Sequence, residues 1–360
     1  MIAAGGTGGH VYPALAVAEA LRAEYPHIDL YFIGSSGLER DLVRESGIAF
    51  AAYDDVRAGP MAGVSWLRRL WSLVNYGIGF FQALILLLRY RPQALLLTGG
   101  WSGLPVAWAA GLLRVPGMIF LPDIEPGSTI QTLRRLVKQV ALTVPESEVY
   151  FPHTPTVVTG YPLRAAFVTA TRAAGRAHFG LDNSRPVLLV FGGSRGARSI
   201  NQVLLAILPD LLADGVQVLH VTGTLDWPEV VARPAEAGYK AFAYLHHDMG
   251  LAQAAADLVV SRAGASTLAE FPLFGLPAIL VPYPYAWRYQ KVNADYLAER
   301  GAAVRLDDAQ MHQHLLPQIR AILGDADRLA QMRDCARALS RPNGASRLAA
   351  TLTQLAGGSE

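Results

Sequence analysis

The sequence predicts an α/β protein built from two doubly wound, parallel-sheet domains with a ligand cleft between them. Three observations predict it. Short apolar runs alternate with helical stretches along the chain, the pattern of parallel strands covered on both faces. The alternation occurs twice, with a change-over near Val158-Thr159-Gly160-Tyr161-Pro162. Strand–glycine–helix junctions recur in both halves, and in such sheets ligands sit at the carboxyl ends of the strands. The length of 360 residues agrees, since a domain takes roughly 100–200 residues.

In the first half, the entering strand has only Met1 to Ala4, an abrupt start that points to missing residues or a misassigned start. Residues 14–24 have helical periodicity, and 30–34 read as a strand ended by Gly34. Residues 38–46 read as a helix stopped by Gly47. A charge-free run, 70–88, approaches the roughly 17–25 residues of a membrane span. Ser72, Asn75, Gly77, Gly79 and Gln82 interrupt it, so a packed or interfacial helix is expected instead. Its flanks, Arg68, Arg69, Arg89 and Arg91, interleave with Trp66, Trp71 and Tyr90, which suits an anionic lipid surface. Strands are expected at 94–98, 117–121 and 140–144, and a helix at 104–113. In the second half, strands are expected at 186–191, 216–221, 240–244, 258–261 and 278–281, with helices at 197–212 and opening at Gly264.

Composition excludes several classes. Hydrophobic residues make up 52% and charged residues 17%, against a usual charged share of about 25%, so the chain is not an extended disordered one. A net charge of +2 supplies no bulk field for nucleic acid, and no nucleic-acid partner is expected. Cys335 is the single cysteine, which excludes a disulfide framework and a multi-cysteine metal site. No secretory signal pattern opens the sequence.

Three loops share the form strand, glycines, helix: Gly5-Gly6-Thr7-Gly8-Gly9-His10, Gly99 to Gly103, and Gly192-Gly193-Ser194-Arg195-Gly196. Glycine permits close backbone approach, and the helix N-terminus behind each loop attracts phosphate. A phosphorylated ligand is therefore expected. No Gly-Lys-Ser/Thr follows, so none is a P-loop, and Gly6, Gly8 and Gly9 lack the dinucleotide spacing. A fourth element, Gly264-Ala265-Ser266-Thr267-Leu268-Ala269-Glu270, offers amides for phosphate and a carboxylate for vicinal hydroxyls such as those of ribose. It reads equally as a capped helix with Glu270 as capping-box partner. His10 reads as a general base, its ordinary pKa near 6.5 suiting the role, or as a packing residue. His246-His247-Asp248 lacks further ligand spacing, and no Asp-x-Asp stands at a strand end, so no metal site is expected.

In chain order these motifs resemble those of the MurG family, inverting N-acetylglucosaminyltransferases that convert lipid I to lipid II in peptidoglycan synthesis. The residues carrying the resemblance run from the first glycine loop through Val11-Tyr12-Pro13, to Thr98 through Gly103, Gly160-Tyr161-Pro162-Leu163-Arg164, Gly192 through Ala197, Ser261 through Glu270, and Arg288-Tyr289-Gln290-Lys291-Val292-Asn293-Ala294. The resemblance implies two Rossmann-like domains in the GT-B arrangement, with no metal or cofactor. Residues 1–161 would form the acceptor- and membrane-facing domain, with 340–360 packing back on it, and 162–339 the UDP-sugar domain. It implies that Ser194 and Gly196 hold the diphosphate of UDP. Arg164 would contact the nucleotide, Ala265, Ser266 and Thr267 the phosphates, Glu270 the ribose and His246 the uracil. Gln290, Asn293 and Asp123 would reach the transferred sugar. Thr7, Gly8, Gly9 and His10 would face the acceptor, with His10 the base for the muramyl 4-hydroxyl. The implied partners are UDP-N-acetylglucosamine, lipid I and the cytoplasmic face of the cell membrane.

The chain departs from the family pattern in three places. Phe120-Leu121-Pro122-Asp123 and Ile124-Glu125-Pro126-Gly127 stand where the family has His-Glu-Gln-Asn, so Asp123 replaces an amide. Tyr289 stands for a histidine, and Arg195 for a glutamine. These positions belong to the sugar and acceptor, which leaves a related lipid-linked glycosyltransferase with another sugar or acceptor as the alternative. A nucleotide-sugar epimerase and a non-catalytic membrane scaffold share the same plan.

Overall fold

The computed structural model describes residues 1–6, 8–35, 37–60, 64–193, 196–285 and 288–357, with Leu38 by its backbone. The chain divides into two compact units, one of Met1–Arg164 with Asn343–Glu360 and the other of Ala165–Pro342.

The first unit carries β1 (Ile2–Ala4), β2 (Tyr31–Gly34), β3 (Ala52–Asp55), β4 (Leu95–Gly99), β5 (Gly117–Leu121), β6 (Gln139–Leu142) and β7 (Thr156–Val158). They form one parallel sheet in the order β3-β2-β1-β4-β5-β6-β7, with Ile2 opposite both Phe32 and Leu96. The second unit carries β8 (Val187–Phe191), β9 (Gln217–Val221), β10 (Tyr239–Phe242), β11 (Leu258–Ser261), β12 (Ala278–Leu280) and β13 (Ala303–Arg305). Their order is β10-β9-β8-β11-β12-β13, again all parallel. Each sheet is wound outwards in both directions from its first strand, so each has a switch point: β1/β4 in one, β8/β11 in the other.

The central strands are buried and largely apolar because helices cover both faces. Every residue of β4, β5, β8, β9 and β11 is buried. Beyond the sequence expectation lie β3, β7 and β13, which are short and half-buried in whole or part, at or beside the sheet edges. The helix Gly8–Glu24 begins six residues before its expected start. Its first turns read as loop because Gly8, Gly9 and Pro13 all lower helix propensity.

The charge-free run forms the helix Trp66–Tyr90. Ser72, Tyr76, Gly79, Ala83 and Leu87 make its buried stripe. Gly79 lies so close to the chain below that a Cβ there would stand 1.9 Å from the Arg57 carbonyl oxygen. On the opposite side Trp66, Trp71, Phe81 and Ile85 are each more than 60% exposed. The helix Gly344–Gly357 packs on the helix Gly8–Glu24.

Inside the second unit His220 is fully buried on β9. Its Nδ1 accepts from the Tyr239 hydroxyl and its Nε2–H donates to Asn201 Oδ1, both at 2.9 Å. Burial pushes its pKa down to about 4. The unfolded chain therefore binds a proton that the native state refuses between the ordinary 6.5 and about 4. Stability is expected to fall as pH drops through that window, by up to roughly 3 kcal/mol from this group. Urea unfolding of the native protein and His220→Gln across pH 4–7 checks it: the variant's profile should be the flatter one.

Candidate active site

At the first switch point the loops that follow β1 and β4 touch. Gly100 has φ of 90°, and a Cβ there would stand 2.1 Å from the Gly5 carbonyl oxygen, so only glycine permits this contact. His10 lies in the first turn of the helix Gly8–Glu24. The Thr98 hydroxyl donates to its backbone carbonyl at 2.7 Å, tying helix start to strand end. Its ring rests on Gly99, where a Cβ would come within 2.4 Å of its Cδ2. Burial pushes the imidazole pKa below its ordinary 6.5, opposed in part by a hydrogen bond with the Gly5 backbone. The ring is thus neutral at pH 7 and able to accept a proton, the state that a general base needs.

Gly8 is buried and Gly9 exposed in the same turn, while Thr7 lies outside the described residues. Asp123 follows β5 and is half-buried at the same sheet edge. Glu125 beyond it is buried and accepts from the Tyr150 hydroxyl at 2.9 Å. The Arg164 guanidinium stacks over the Tyr12 ring, 4.5 Å from its centroid, one half-turn from His10. A residue that sequence reasoning missed backs this loop. Glu39 is 2% exposed and accepts from the Ser35 amide at 2.8 Å. A Cβ on Gly5 would lie 3.0 Å from its Oε1 and 2.7 Å from Ser102 Oγ. Glu39 reads in sequence as a surface helix residue, and no local signal marks it as buried.

At the second switch point, between β8 and β11, the loop after β8 leans on the loop after β9. Gly196 has φ of 79°, and a Cβ there would stand 2.2 Å from the Thr222 carbonyl oxygen. The helix Arg198–Ala213 follows with Ala197 at its cap, no capping side chain and no acidic residue in its first turn. Its N-terminal amides and positive dipole end are left for an anion. Asn201 fixes this helix start: its Nδ2 donates to the Thr222 carbonyl and to Asp226, both at 2.8 Å, while its Oδ1 receives His220. Ser194 and Arg195 lie outside the described residues.

On the neighbouring loop the Thr267 amide is already bonded to the Gly264 carbonyl at 3.1 Å, so it is spent within the turn. Among the described residues, the Ala265 and Ser266 amides donate to no backbone carbonyl. The helix Thr267–Phe274 has no side-chain cap, so the capping-box reading of Glu270 fails. Glu270 is instead gripped by Gln253 Nε2 at 2.8 Å. Gln253 is fully buried and was not singled out by sequence, since a buried amide leaves no periodic trace. Asn293 is also 0% exposed and donates to the Ala263 carbonyl at 3.2 Å. Its side chain holds the loop's backbone. Gln290 is half-buried, and its Oε1 accepts from the Tyr283 amide at 2.8 Å. His246 is exposed beyond β10, its ring 4.4 Å from that of Tyr244. Among the described residues no group of three His, Cys, Asp or Glu side chains is placed to hold a metal ion.

Each unit thus presents glycine loops and a helix start at its switch point, with a neutral histidine in one and a carboxylate braced by a buried amide in the other. Known proteins share this plan. The glycosyltransferase family 28 N-terminal domain matches residues 1–142, and the C-terminal domain of the same family matches residues 187–348. The UDP-N-acetylglucosamine–N-acetylmuramyl-(pentapeptide) pyrophosphoryl-undecaprenol N-acetylglucosamine transferase of Desulforudis audaxviator is 38% identical, covering 99% of this chain and 98% of the relative. The crystal structure of Acinetobacter baumannii MurG superposes with a TM-score of 0.76 at 28% identity, covering 98% of each chain. The calicheamicin glycosyltransferase CalG4 shares the fold, with a TM-score of 0.71 at 14% identity, covering 99% of this chain and 98% of that one.

Proposed function

The chain belongs to the MurG family within glycosyltransferase family 28, and on that premise we propose that it moves N-acetylglucosamine from UDP-N-acetylglucosamine to the muramyl 4-hydroxyl of lipid I. The observation that carries this reading is His10, held neutral where two glycine loops meet. It takes the proton of the acceptor hydroxyl as the oxygen attacks the anomeric carbon from the face opposite the leaving group. The bond from that carbon to the UDP oxygen breaks, and configuration inverts. Charge growing on the diphosphate is met by the uncapped start of the helix Arg198–Ala213 and by the Ala265 and Ser266 amides. Glu270 accepts from the ribose hydroxyls, and Gln290 faces the sugar. The test is label transfer from UDP-N-acetylglucosamine to lipid I, with an unrelated UDP-sugar as control. Labelled lipid II is expected from the first donor alone. Interconversion of the UDP-sugar without acceptor would instead favour an epimerase.

Gln253 aims Glu270, so Gln253→Leu is expected to weaken UDP binding about tenfold by freeing the carboxylate to rotate. Calorimetric titration with UDP reads this, and unchanged affinity would remove Gln253 from the site's support.

The exposed apolar face of the helix Trp66–Tyr90 supports a peripheral place on an anionic membrane, where lipid I resides. An 18-residue stretch of that helix has mean hydropathy 1.6, and the helix is long and apolar enough to cross a membrane. Its buried stripe packs it against the first unit, which fits lying on a bilayer better than spanning one. Arg68, Arg69, Arg89 and Arg91 flank the face and are exposed. Burying a large apolar side chain is worth about 1.5–3 kcal/mol. Trp71→Glu with Phe81→Glu should therefore cut co-sedimentation with anionic vesicles by at least about tenfold, leaving transfer to a water-soluble acceptor intact. Loss of both together would point to misfolding instead.

A further inference from the structure

At the opposite edge of the second sheet from its switch point lies a second concentration of charge. Asp257, just before β11, is 5% exposed. It accepts from Arg172 at 2.7 Å, from Arg176 at 2.8 Å and from Arg333, and it also takes the Val187 amide at 2.9 Å. One carboxylate thus serves three guanidinium groups. Arg337 joins them along the helix Ala326–Ala338, and among the described residues it pairs with the exposed Asp334. Four arginines face two carboxylates, and the excess positive charge is felt within the cluster. Burial pushes the Arg176 pKa down, the neighbouring Arg172 and Arg333 push it further, and Asp257 opposes them.

These arginines wall a hollow of about 260 Å³, lined by Arg172, Arg333 and Arg337 with Ala254, Ala256, Phe274 and Gly275. Gly275, at φ of 57°, ends the helix Thr267–Phe274 and makes room for Arg337. A Cβ there would stand 2.7 Å from both Cγ and Nε of that side chain. Among the described residues Arg333 donates through Nη2 and Arg337 through Nη1 alone, so each keeps further N–H groups for a ligand.

We propose that this hollow is a binding site for a phosphate-bearing anion, separate from the nucleotide loops. Guanidinium forks match the paired oxygens of a phosphoryl group, and an anion relieves the repulsion among the four arginines. The volume holds a diphosphate. The site lies at the amino end of β8, about 13 Å of strand away from the glycine loop at its carboxyl end. The anion comes either from solution or from a phospholipid headgroup.

Inorganic pyrophosphate is titrated calorimetrically into the full-length protein held at saturating UDP, which occupies the nucleotide loops. Arg337→Gln and Arg337→Glu are compared with the native chain. Arg337 is 62% exposed in its side chain and does not touch Asp257, so both variants should fold. Pyrophosphate is expected to bind the native protein, about tenfold more weakly to Arg337→Gln and more weakly still to Arg337→Glu. UDP affinity should be equal in all three. Failure of the native chain to bind pyrophosphate with UDP present, or equal affinity across the three, would overturn the site. Phosphatidylglycerol vesicles then separate the sources. A drop in vesicle binding by Arg337→Glu, reproduced in the native chain by added pyrophosphate, assigns a lipid headgroup. Vesicle binding that is the same in both assigns a soluble anion.

Discussion

His10→Ala is expected to lower turnover by about 100- to 10,000-fold, the range supplied by a positioned proton acceptor. UDP affinity should stay within about twofold, because the nucleotide is assigned to the other unit's loops. The pH profile carries a second signature. Burial sets the His10 pKa below 6.5, so the base is already unprotonated at neutral pH. The acid limb of kcat/KM is expected below pH 6.5 in the native enzyme and absent from the residual rate of the variant. Near-normal turnover in His10→Ala would strip the residue of its role and turn attention to Asp123 and Glu125, the carboxylates that follow β5. Equal losses in turnover and in UDP binding would mark a collapsed loop instead of a missing base.

Asp257→Asn is expected to destabilise the second unit by about 3–5 kcal/mol, the cost of removing one partner from a buried ion pair. Asn keeps the volume but offers one acceptor oxygen where two carboxylate oxygens received three guanidinium groups and the Val187 amide. Arg176 suffers most, since its side chain is 3% exposed and has little water to turn to. A melting midpoint lower by about 6–20 °C should follow. A loss under about 1 kcal/mol in urea unfolding would mean that water reaches the cluster and screens it.

Much of the fold was legible because buried parallel strands read as nearly continuous apolar runs. β5 and β11 have the bounds expected from sequence, Gly117–Leu121 and Leu258–Ser261. The strands that escaped notice are those whose burial is partial. β3 reads Ala-Tyr-Asp-Asp and looks like a turn, because an edge strand is held by one neighbour's hydrogen bonds more than by its own side chains. The glycine loops announced themselves as loops, yet their supports did not. Glu39, Asn201 and Gln253 are polar residues on helices, and on sequence alone each belongs to a solvated face. Each is buried by what comes from distant parts of the chain: Glu39 by Gly5, Asn201 by His220, Gln253 by Glu270. Thr267 and Asn293 also tie the neighbouring loop together, the Thr267 amide donating to the Gly264 carbonyl and the Asn293 side chain to the Ala263 carbonyl, bonds that residue type alone does not announce.

The path of the chain also constrains how such a protein can be rearranged. It leaves the first unit at Arg164 and comes home at Asn343. The returning segment is no loose tail, for the helix Gly344–Gly357 buries Leu348, Ala349 and Leu352, and its opening glycine nestles against the Tyr161 carbonyl. A second unit traded in from a relative by recombination must therefore be cut at two breakpoints, as an insert. A single crossover would marry the terminal helix of one lineage to the opening helix of another, and hybrids made that way should fail at this seam first.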